Sequence, residues 1–391
     1  MISLDSALDI VLSSAPLKQT VRVRFTDSLN HVLAQDIVAD MNMPPFDKSA
    51  VDGYACCMSD LKNELELLEI IAAGQMPTKS IGENQCSQIM TGGMLPEGAD
   101  CVIMVEHTLK TDEGRIRFTA EKTKSNICYQ AEDIKKHEVV IPKCSLIKAP
   151  HIAVMAAMGV SEVEVFAKPQ IAIISTGDEI VEPDVMPGPA QIRNSNAYQL
   201  KAQFALMDIE TSYLGIAPDN EEITYNMIMK AMDEYDLLVL TGGISMGEFD
   251  FVPQVMLKAG VDILFRQIAV QPGRPTIFGA KGNSRVVGLP GNPVSSFTQF
   301  ELLVKPMVYK MMGYDYSPVQ LFLPLAKDFH RKRANVLSCF PVIINEKSEL
   351  EPLEYHGSAH ISALTGANAI ACAEPGNAVI NKGTKLHVRL I

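Results

Sequence analysis

The stretch Asp236–Asp250, DLLVLTGGISMGEFD, decides the fold of the central part of this chain. Its apolar run, Leu237–Leu240, has the character of a buried parallel strand and stops at Thr241-Gly242-Gly243. Such a strand, ending in a glycine-rich turn, leaves backbone N–H groups free at the sheet edge where open α/β folds bind phosphate-bearing ligands. Two carboxylates, Glu248 and Asp250, follow within a few residues and suggest a divalent cation. The stretch therefore predicts a ligand site as well as a strand.

Two other predicted strands end in loops of the same kind. Strand Ile171–Ser175 leads to Thr176-Gly177-Asp178-Glu179, and strand Arg285–Gly288 leads to LPGNPVSS, residues 289–296. A further turn, VQPGRP at Val270–Pro275, belongs to the same region. Because the carboxyl ends of parallel strands meet at one edge of a sheet, we expect the three loops that follow strands to lie together.

The loop at 289–296 is also expected to open a helix. Pro293 suits the first helical turn, and Ser295 and Ser296 place hydroxyl groups beside its N-terminus. Amides, hydroxyls and a helix dipole at one point make a cradle for an anion. The alternative is that the glycines only form tight turns. For the nearby acids, the alternative is a capping or turn role, and it stays open for Asp178, Glu179, Asp219, Glu248 and Asp250.

The rest of the chain frames this region. Helical spacing behind Ser3 predicts a first helix, residues 150–158 predict a short helix that stops at Gly159, and the intervening segment is rich in proline, glycine and short β runs. Strands and helices alternate from Lys168, and short β runs return after Tyr316. We expect an α/β plus β multidomain chain, with a central doubly wound, mostly parallel sheet. The expected domains are a helical stalk (1–41 with 144–168), an inserted β-rich domain (42–143), the α/β domain (169–314) and a small C-terminal β-barrel (315–391).

Composition narrows the function classes. The chain has 391 residues and a net charge of −12, which argues against nonspecific nucleic-acid binding. The N-terminus lacks the basic region of a signal peptide, and no stretch reaches the roughly 18 apolar residues of a membrane span. The eight cysteines form no C-x-x-C pair, which predicts reduced thiols in a cytoplasmic protein. The eight histidines show no zinc-ligand spacing.

The predicted β-rich insertion carries a second polar signature. The loop Pro44–Ala55, PPFDKSAVDGYA, holds two acids, a lysine and a serine, a density typical of functional loops. The same domain supplies IMTGG at Ile89–Gly93, and the acid pair Glu132-Asp133. For that pair, solvated surface acids are the open alternative.

These motifs, taken together, resemble the molybdopterin molybdenumtransferase family, which includes MoeA and the E domain of gephyrin. The matching segments run in the family's order: FDKSAVDGYA, IMTGGMLPEGADCVIMVEH, AEDI, STGDEI, IRNSN, LTGGISMGEFDFV, PGRP and GLPGNPVSS. GLPGNP and TGGISMGE are specific even alone. The resemblance covers essentially the whole chain.

The resemblance implies an elongated homodimer that inserts molybdate into adenylated molybdopterin and releases AMP in a Mg²⁺-dependent step. Family positions imply catalytic roles for Asp52, Thr91, Asp133, Glu179, Asp219 and Asp250, of which Glu179, Asp219 and Asp250 would hold the metal. The pterin and its phosphates would be bound by Thr176, Gly177, Thr241, Gly242, Gly243, Ser245, Arg274, Pro290, Gly291, Asn292, Pro293 and Ser295. Molybdopterin adenylyltransferase and molybdoenzyme maturation proteins are further candidate partners.

The chain also departs from the family. Gln267 and Gln271 stand where basic residues are common, Cys128-Tyr129-Gln130 lacks the usual arginines, and Asn194 replaces an aspartate. Lost cations would weaken the binding of molybdate or pyrophosphate, or mark a paralogue with another substrate preference. Two alternative functions therefore stay open, an enzyme that adenylates molybdopterin and a non-enzymatic scaffold.

Overall fold

The central sheet has six strands and is mixed. A computed structural model of the protein describes residues 1–244, 251–354 and 357–391. In order across the sheet, the strands are Thr211–Ala217, Ile171–Thr176, Leu237–Thr241, Ser284–Leu289, Pro275–Lys281 and Asp262–Gln267. The first four are parallel, Pro275–Lys281 is antiparallel to Ser284–Leu289, and Asp262–Gln267 is antiparallel to Pro275–Lys281. The predicted parallel core is therefore present, with an antiparallel edge that the sequence analysis did not include.

Helices cover both faces of this sheet, because alternate residues of a buried strand point to opposite sides. Ile171 and Ile173 pack in one core, and Ala172 and Ile174 pack in the other. The helices of the α/β region are Asn196–Ala205, Glu221–Glu234, Val252–Lys258, and a continuous helical run made of Pro293–Gln299, Phe300–Val304 and Lys305–Met311. The helix predicted to open at Pro293 is thus confirmed.

The segments on either side of the β-rich insertion pair with each other. Strand Thr20–Arg24 is antiparallel to Glu162–Phe166, and Ile37–Val38 is antiparallel to Val139–Ile141. The predicted helices are present as Leu4–Ser14, capped by the Ser3 side chain, and Ala149–Ala157. Between the paired segments lies a sheet of the strands Cys101–Met104, Gly53–Cys56, Gln85–Ile89, Glu64–Ile71, Ile116–Phe118 and Thr108–Lys110. A two-stranded ladder of Lys48–Ser49 and Ile127–Cys128 flanks it.

The C-terminal region forms another six-stranded sheet, and one of its strands comes from the α/β region. Its order is Val270–Gln271, Leu337–Ile344, Ala369–Ala373, Lys385–Leu390 and Leu321–Pro324, with Leu350–Pro352 paired to the second strand. Val270–Gln271 lies parallel to Leu337–Ile344, so the PGRP turn is built into this sheet. The strands Phe329–His330 and Val379–Ile380 form a separate ladder, and a short helix, Ser362–Thr365, precedes the third strand.

The prediction that all eight cysteines are reduced is wrong for one pair. Cys339 and Cys372 form a disulfide. They are direct partners on neighbouring antiparallel strands, which brings their side chains together although 33 residues separate them in sequence. Cys56, Cys86 and Cys101 are buried free thiols, as predicted.

Candidate active site

The three predicted loops meet at one edge of the central sheet. Their strands are in parallel register, with Ser175 beside Thr241 and Thr241 beside Leu289. The Gly242 N–H donates to the carbonyl oxygen of Leu289 at 3.1 Å, which ties the second loop to the third. This convergence confirms the expectation drawn from the strand pattern, and it creates a common floor for a ligand.

Two glycines of the TGG turn are required by the space around them. Gly242 and Gly243 have φ angles of +95° and +63°, a region that side-chain-bearing residues rarely adopt. A Cβ on Gly242 would lie 2.6 Å from the Thr176 carbonyl oxygen, and one on Gly243 would lie 2.8 Å from the Thr176 hydroxyl. The turn can therefore pack against the neighbouring loop only as Gly-Gly.

Asn196 is a site residue that the sequence analysis quoted within IRNSN but did not assign. Its Nδ2 donates to the Thr241 hydroxyl and to the carbonyl oxygen of Gly291, both at 2.8 Å. The residue is 7% exposed, and its Oδ1 is buried with no partner among the described residues. Asn196 thus joins two loops and offers an acceptor at their junction. The sequence signal was its place directly after a predicted helix cap, beside the sheet edge.

The hydroxyl groups of the two loop threonines point inward. Thr176 Oγ1 donates to the Thr241 carbonyl oxygen at 3.4 Å, and both residues are almost fully buried. The Gly177 N–H is also used, because it donates to Ala217 O at 3.1 Å. The N–H groups of Gly243 and Gly291, by contrast, have no acceptor among the described residues. These two amides can therefore donate to a ligand.

The C-terminal region contacts the GLPGNP loop through Ser358. Asn292 Nδ2 donates to the Ser358 hydroxyl at 2.8 Å, and the Val294 N–H donates to the Ser358 carbonyl oxygen at 3.1 Å. One amide at the start of the helix that begins at Pro293 is therefore already occupied. Ser295 and Pro290 are buried beneath this contact. Ser358 was not foreseen, because it lies 66 residues beyond Asn292 in another region.

Three exposed acids lie beside the first loop. The Asp219 N–H donates to Asp178 Oδ1 at 2.9 Å, and the Asp178 N–H donates to Asp219 Oδ2 at 3.4 Å. Glu179 folds back so that a side chain on Gly177 would overlap its carboxylate. Among residues 1–244, 251–354 and 357–391, no group of three or more acids, cysteines or histidines is arranged to hold a metal. Ser245, Glu248 and Asp250 lie outside the described residues.

The predicted residues of the β-rich insertion form a second cluster. Asp52 Oδ1 accepts from the Thr91 N–H at 2.6 Å and from the Thr91 hydroxyl at 2.8 Å. The backbone and then the side-chain bond hold the pKa of the Asp52 carboxyl below its usual value. Asp133 is exposed on the adjoining turn, where its N–H donates to Met43 O at 3.0 Å. All three residues lie on loops at one end of the insertion.

The predicted catalytic residues that the structure describes thus fall into two groups. Asp52, Thr91 and Asp133 belong to the β-rich insertion, and Glu179 and Asp219 belong to the α/β region. Among the described residues, no hydrogen bond or ion pair joins one group to the other within a chain.

Comparisons with known proteins agree along the whole chain. Residues 2–159 match the model of the MoeA N-terminal region (domain I and II), and residues 172–310 match a probable molybdopterin binding domain. The molybdopterin molybdenumtransferase of Staphylococcus epidermidis is 33% identical, with 100% of this chain and 95% of the relative covered. The Staphylococcus aureus protein of the same name is 30% identical with the same coverage. The chain belongs to the molybdopterin molybdenumtransferase family.

Solved structures agree with this membership. The molybdopterin biosynthesis MoeA protein of Pyrococcus horikoshii has a TM-score of 0.85 and 27% identity, with both chains fully covered. A molybdenum cofactor biosynthesis protein of Pyrococcus furiosus has a TM-score of 0.64 at 21% identity, which shows a shared fold. Among the residues that the structure describes, no helix combines the length and apolar character needed to cross a membrane.

Two departures from the family pattern have visible structural roles. Gln267 Oε1 accepts from Arg274 Nε at 3.2 Å and from Arg274 Nη2 at 3.0 Å, so it orients the arginine of the PGRP turn without neutralising it. Asn194 Nδ2 donates to the Tyr213 hydroxyl at 2.8 Å, and the Tyr213 hydroxyl donates to Glu182 at 2.6 Å. Burial, followed by the bond to Glu182, raises the pKa of Tyr213. Asn194 therefore anchors the loop behind the site in a hydrogen-bond network that ends on the Glu182 carboxylate.

Proposed function

We propose that this protein inserts molybdate into adenylated molybdopterin and releases AMP. The observation that carries the proposal is the junction of the TGG and GLPGNP loops, held by Asn196, in a chain of this family. At the junction, the Gly243 and Gly291 amides and the buried Asn196 amide oxygen have no hydrogen-bond partner in the part of the chain that the structure describes. Free amides at the carboxyl edge of a parallel sheet suit phosphate groups.

In this proposal the loop residues divide into supporting and binding groups. Thr176, Gly177, Thr241 and Gly242 fix the positions of the loops through the contacts described above. Gly243, Ser245, Gly291, Asn292 and Ser295 bind the pterin phosphate and the adenylate. Pro290 and Pro293 shape the loop between them, and Arg274 adds positive charge at the pyrophosphate end.

The acids beside the first loop fit a hard divalent cation. Asp178, Glu179 and Asp219 are exposed carboxylates that make no ion pair with a described residue. Oxygen ligands of this type are those that Mg²⁺ takes in proteins. Glu179 and Asp219, with Asp250, would hold Mg²⁺, which when bound neutralises pyrophosphate charge. The chain's own contribution is to keep Asp219 in place through the reciprocal bonds with Asp178.

The second group of residues supports a composite site in a homodimer. Asp52, Thr91 and Asp133 carry polar groups on exposed loops, yet they make no hydrogen bond or ion pair with the described residues of the sheet edge of their own chain. A partner subunit that brings its insertion to that edge would complete the pocket. The proposal includes the four-part subunit with the boundaries 1–41 with 144–168, 42–143, 169–314 and 315–391, and a cytoplasmic location.

The direct test is the release of AMP from adenylated molybdopterin by the purified protein with Mg²⁺, with and without molybdate. We expect molybdate-dependent release, reduced at least about a hundredfold in Asp219→Asn, because a misplaced charge at a phosphoryl site costs on that order. Lys230→Gln, a surface change on the helix Glu221–Glu234, is the control. AMP release at the same rate with and without molybdate would contradict the proposal. ATP-dependent adenylation of molybdopterin would also contradict it and favour the adenylating enzyme. If the protein shows neither AMP release nor adenylation, the non-enzymatic scaffold is favoured.

A further inference from the structure

The disulfide of the C-terminal sheet is part of a row of side chains that crosses four strands. Cys339 is the direct cross-strand partner of Cys372. The next strand places His387 beside Cys372, and the edge strand places Phe322 beside His387. Direct partners point to the same face of a sheet, and the rings of Phe322 and His387 lie 5.5 Å apart. The row therefore brings a disulfide and an imidazole together on one face.

One end of this row opens into a cavity of about 570 Å³. Cys372, His387 and Phe322 line the cavity, whereas Cys339 is not part of its described lining. Cys372 is 7% exposed and Cys339 is 2% exposed. A cavity of this size admits a small molecule. A reagent that enters it reaches the sulfur of Cys372 before that of Cys339.

His387 is available to accept a proton in this cavity. Its Nε2 is buried and has no hydrogen-bond partner in the part of the chain that the structure describes. The charged side chains around it are those of Arg331, Glu374, Lys385 and Arg389. Burial, followed by the charge of Arg389, lowers the pKa of His387 against the opposing effect of Glu374. The imidazole is therefore neutral at pH 7, and Nε2 accepts a proton when Nδ1 carries the ring hydrogen.

A cation lies beside the two cysteines. Arg331 Nη1 donates to the carbonyl oxygen of Ala373 at 3.2 Å and to the hydroxyl of Ser338 at 3.5 Å. Ala373 follows Cys372 in the chain, and Ser338 precedes Cys339. The guanidinium is thus held next to both ends of the disulfide. A neighbouring positive charge stabilises a thiolate, which is the group that leaves when a disulfide is cleaved.

We propose that Cys339 and Cys372 form a reversible thiol–disulfide exchange site for a low-molecular-weight thiol, in which Cys372 is the sulfur attacked and His387 is the base. A disulfide that served only to hold two strands together would need neither an entry cavity nor an unpaired imidazole beside it.

The exchange takes two steps. In the first, the incoming thiol gives its proton to His387 Nε2 and its sulfur bonds to Cys372 Sγ. The bond between the two cysteines breaks, and its electron pair leaves on Cys339 as a thiolate beside Arg331. In the second, another thiol attacks the small-molecule sulfur, Cys372 leaves and takes the proton from His387, and the second thiol's proton passes to Cys339. The two thiols become a disulfide, and the protein gains their two electrons and two protons.

The test uses the full chain and glutathione as the probe. The protein is oxidised with glutathione disulfide, freed of it, and mixed with reduced glutathione. Samples are alkylated and mapped as peptides by mass spectrometry. We expect the peptide pair linked through Cys339 and Cys372 to disappear, with glutathione appearing transiently on Cys372, because that sulfur lines the cavity.

Three outcomes of this measurement would overturn the proposal. In the first, glutathione appears on Cys339 instead of Cys372. In the second, the linked pair persists until the protein unfolds. In the third, both cysteines are alkylated even after oxidation. These readouts come from the wild-type protein, so they stand even if a variant fails to fold.

His387→Gln tests the base. About 3% of an ordinary thiol is ionised at pH 7, so loss of the base should slow cleavage about tenfold. His330→Gln is the control, since His330 is exposed and lies outside the described lining of this cavity. At a pH of about 9.5 the thiol ionises without help, and wild type and His387→Gln should react equally fast. Slowing that persists at this pH, or equal slowing in the control, would mean that His387 is not the base.

Discussion

The two acid-bearing regions of this protein are built in opposite ways. At the edge of the central sheet, backbone groups and nearly buried threonines lock three loops together, and glycines are required where the loops touch. At the end of the β-rich insertion, the exposed side chains of Asp52 and Thr91 are hydrogen-bonded to each other, and no hydrogen bond joins them to the sheet edge among the described residues. On the proposed function, the first region is one half of the site, and the second completes it from a partner subunit. Substitutions should therefore damage structure in the first region and activity alone in the second.

The largest effect is expected from Gly242→Ala. The added Cβ would meet the Thr176 carbonyl oxygen, so the TGG turn must move away from its neighbour. A displacement near 1 Å at a reacting site costs about a hundredfold in rate, so AMP release should fall by at least that factor. Gly215→Ala is the matched control, because Gly215 has a φ of +97° but no atom within 4 Å of its added Cβ. It should lower stability by about 1–2 kcal/mol and leave the rate nearly unchanged. Equal rates in the two variants would contradict the locked-loop description.

Asn196→Ala should have the next largest effect. It removes two hydrogen bonds that join the loops, each worth about 0.5–1.5 kcal/mol. Thermal unfolding and AMP release should both be reduced. Asn220→Ala, which removes the cap of the helix Glu221–Glu234, should cost about as much stability but spare the rate. If both variants keep wild-type rates, Asn196 does not position the site.

Subunit mixing tests the second half of the comparison. Asp52→Asn should lose AMP release with little change in thermal midpoint, because the side chain is exposed and an amide oxygen can still accept the two Thr91 bonds. If each site joins two chains, mixing Asp52→Asn with Glu179→Gln subunits produces mixed dimers with one intact site. Random assembly should then restore about one quarter of wild-type activity. If a mixture that does exchange subunits shows no recovery, the two groups act within one chain and the proposed composite site is wrong.

The smallest effect concerns pH. The amide and hydroxyl of Thr91 lower the pKa of Asp52, so the carboxylate stays ionised to a lower pH than usual. Its contribution to stability is present above the unfolded-state pKa and is lost as the pH falls through the folded value. Thr91→Val removes the hydroxyl bond and should move the acidic limb of the rate profile to higher pH. Thr108→Val, which loses a hydroxyl bond to the Val105 carbonyl elsewhere in the insertion, should leave that limb in place.

The sequence predicted most of the sheet edge because buried parallel strands and glycine turns have strong local signals. The strand predicted at Leu237–Leu240 and the Gly-Gly turn after it were correct for that reason. The strands Thr211–Ala217 and Asp262–Gln267 were missed, since they lie at the two edges of the sheet and are only partly buried. Ser358 and the Cys339–Cys372 pair depend on long-range packing, which no local pattern reveals. Asn196 was quoted as part of a motif, but its role depends on two partners far away in sequence, the Thr241 hydroxyl and the Gly291 carbonyl oxygen.

The shared strand Val270–Gln271 has a mechanical consequence. Its pairing with Leu337–Ile344, together with the bond from the Leu337 N–H to the Ala269 carbonyl oxygen at 3.1 Å, fastens the C-terminal region to the turn that bears Arg274. The C-terminal region cannot rotate away from the PGRP turn without breaking these backbone hydrogen bonds. The width of the gap between the PGRP turn and the C-terminal sheet is thereby set when the chain folds, and it is the same for ions of different size.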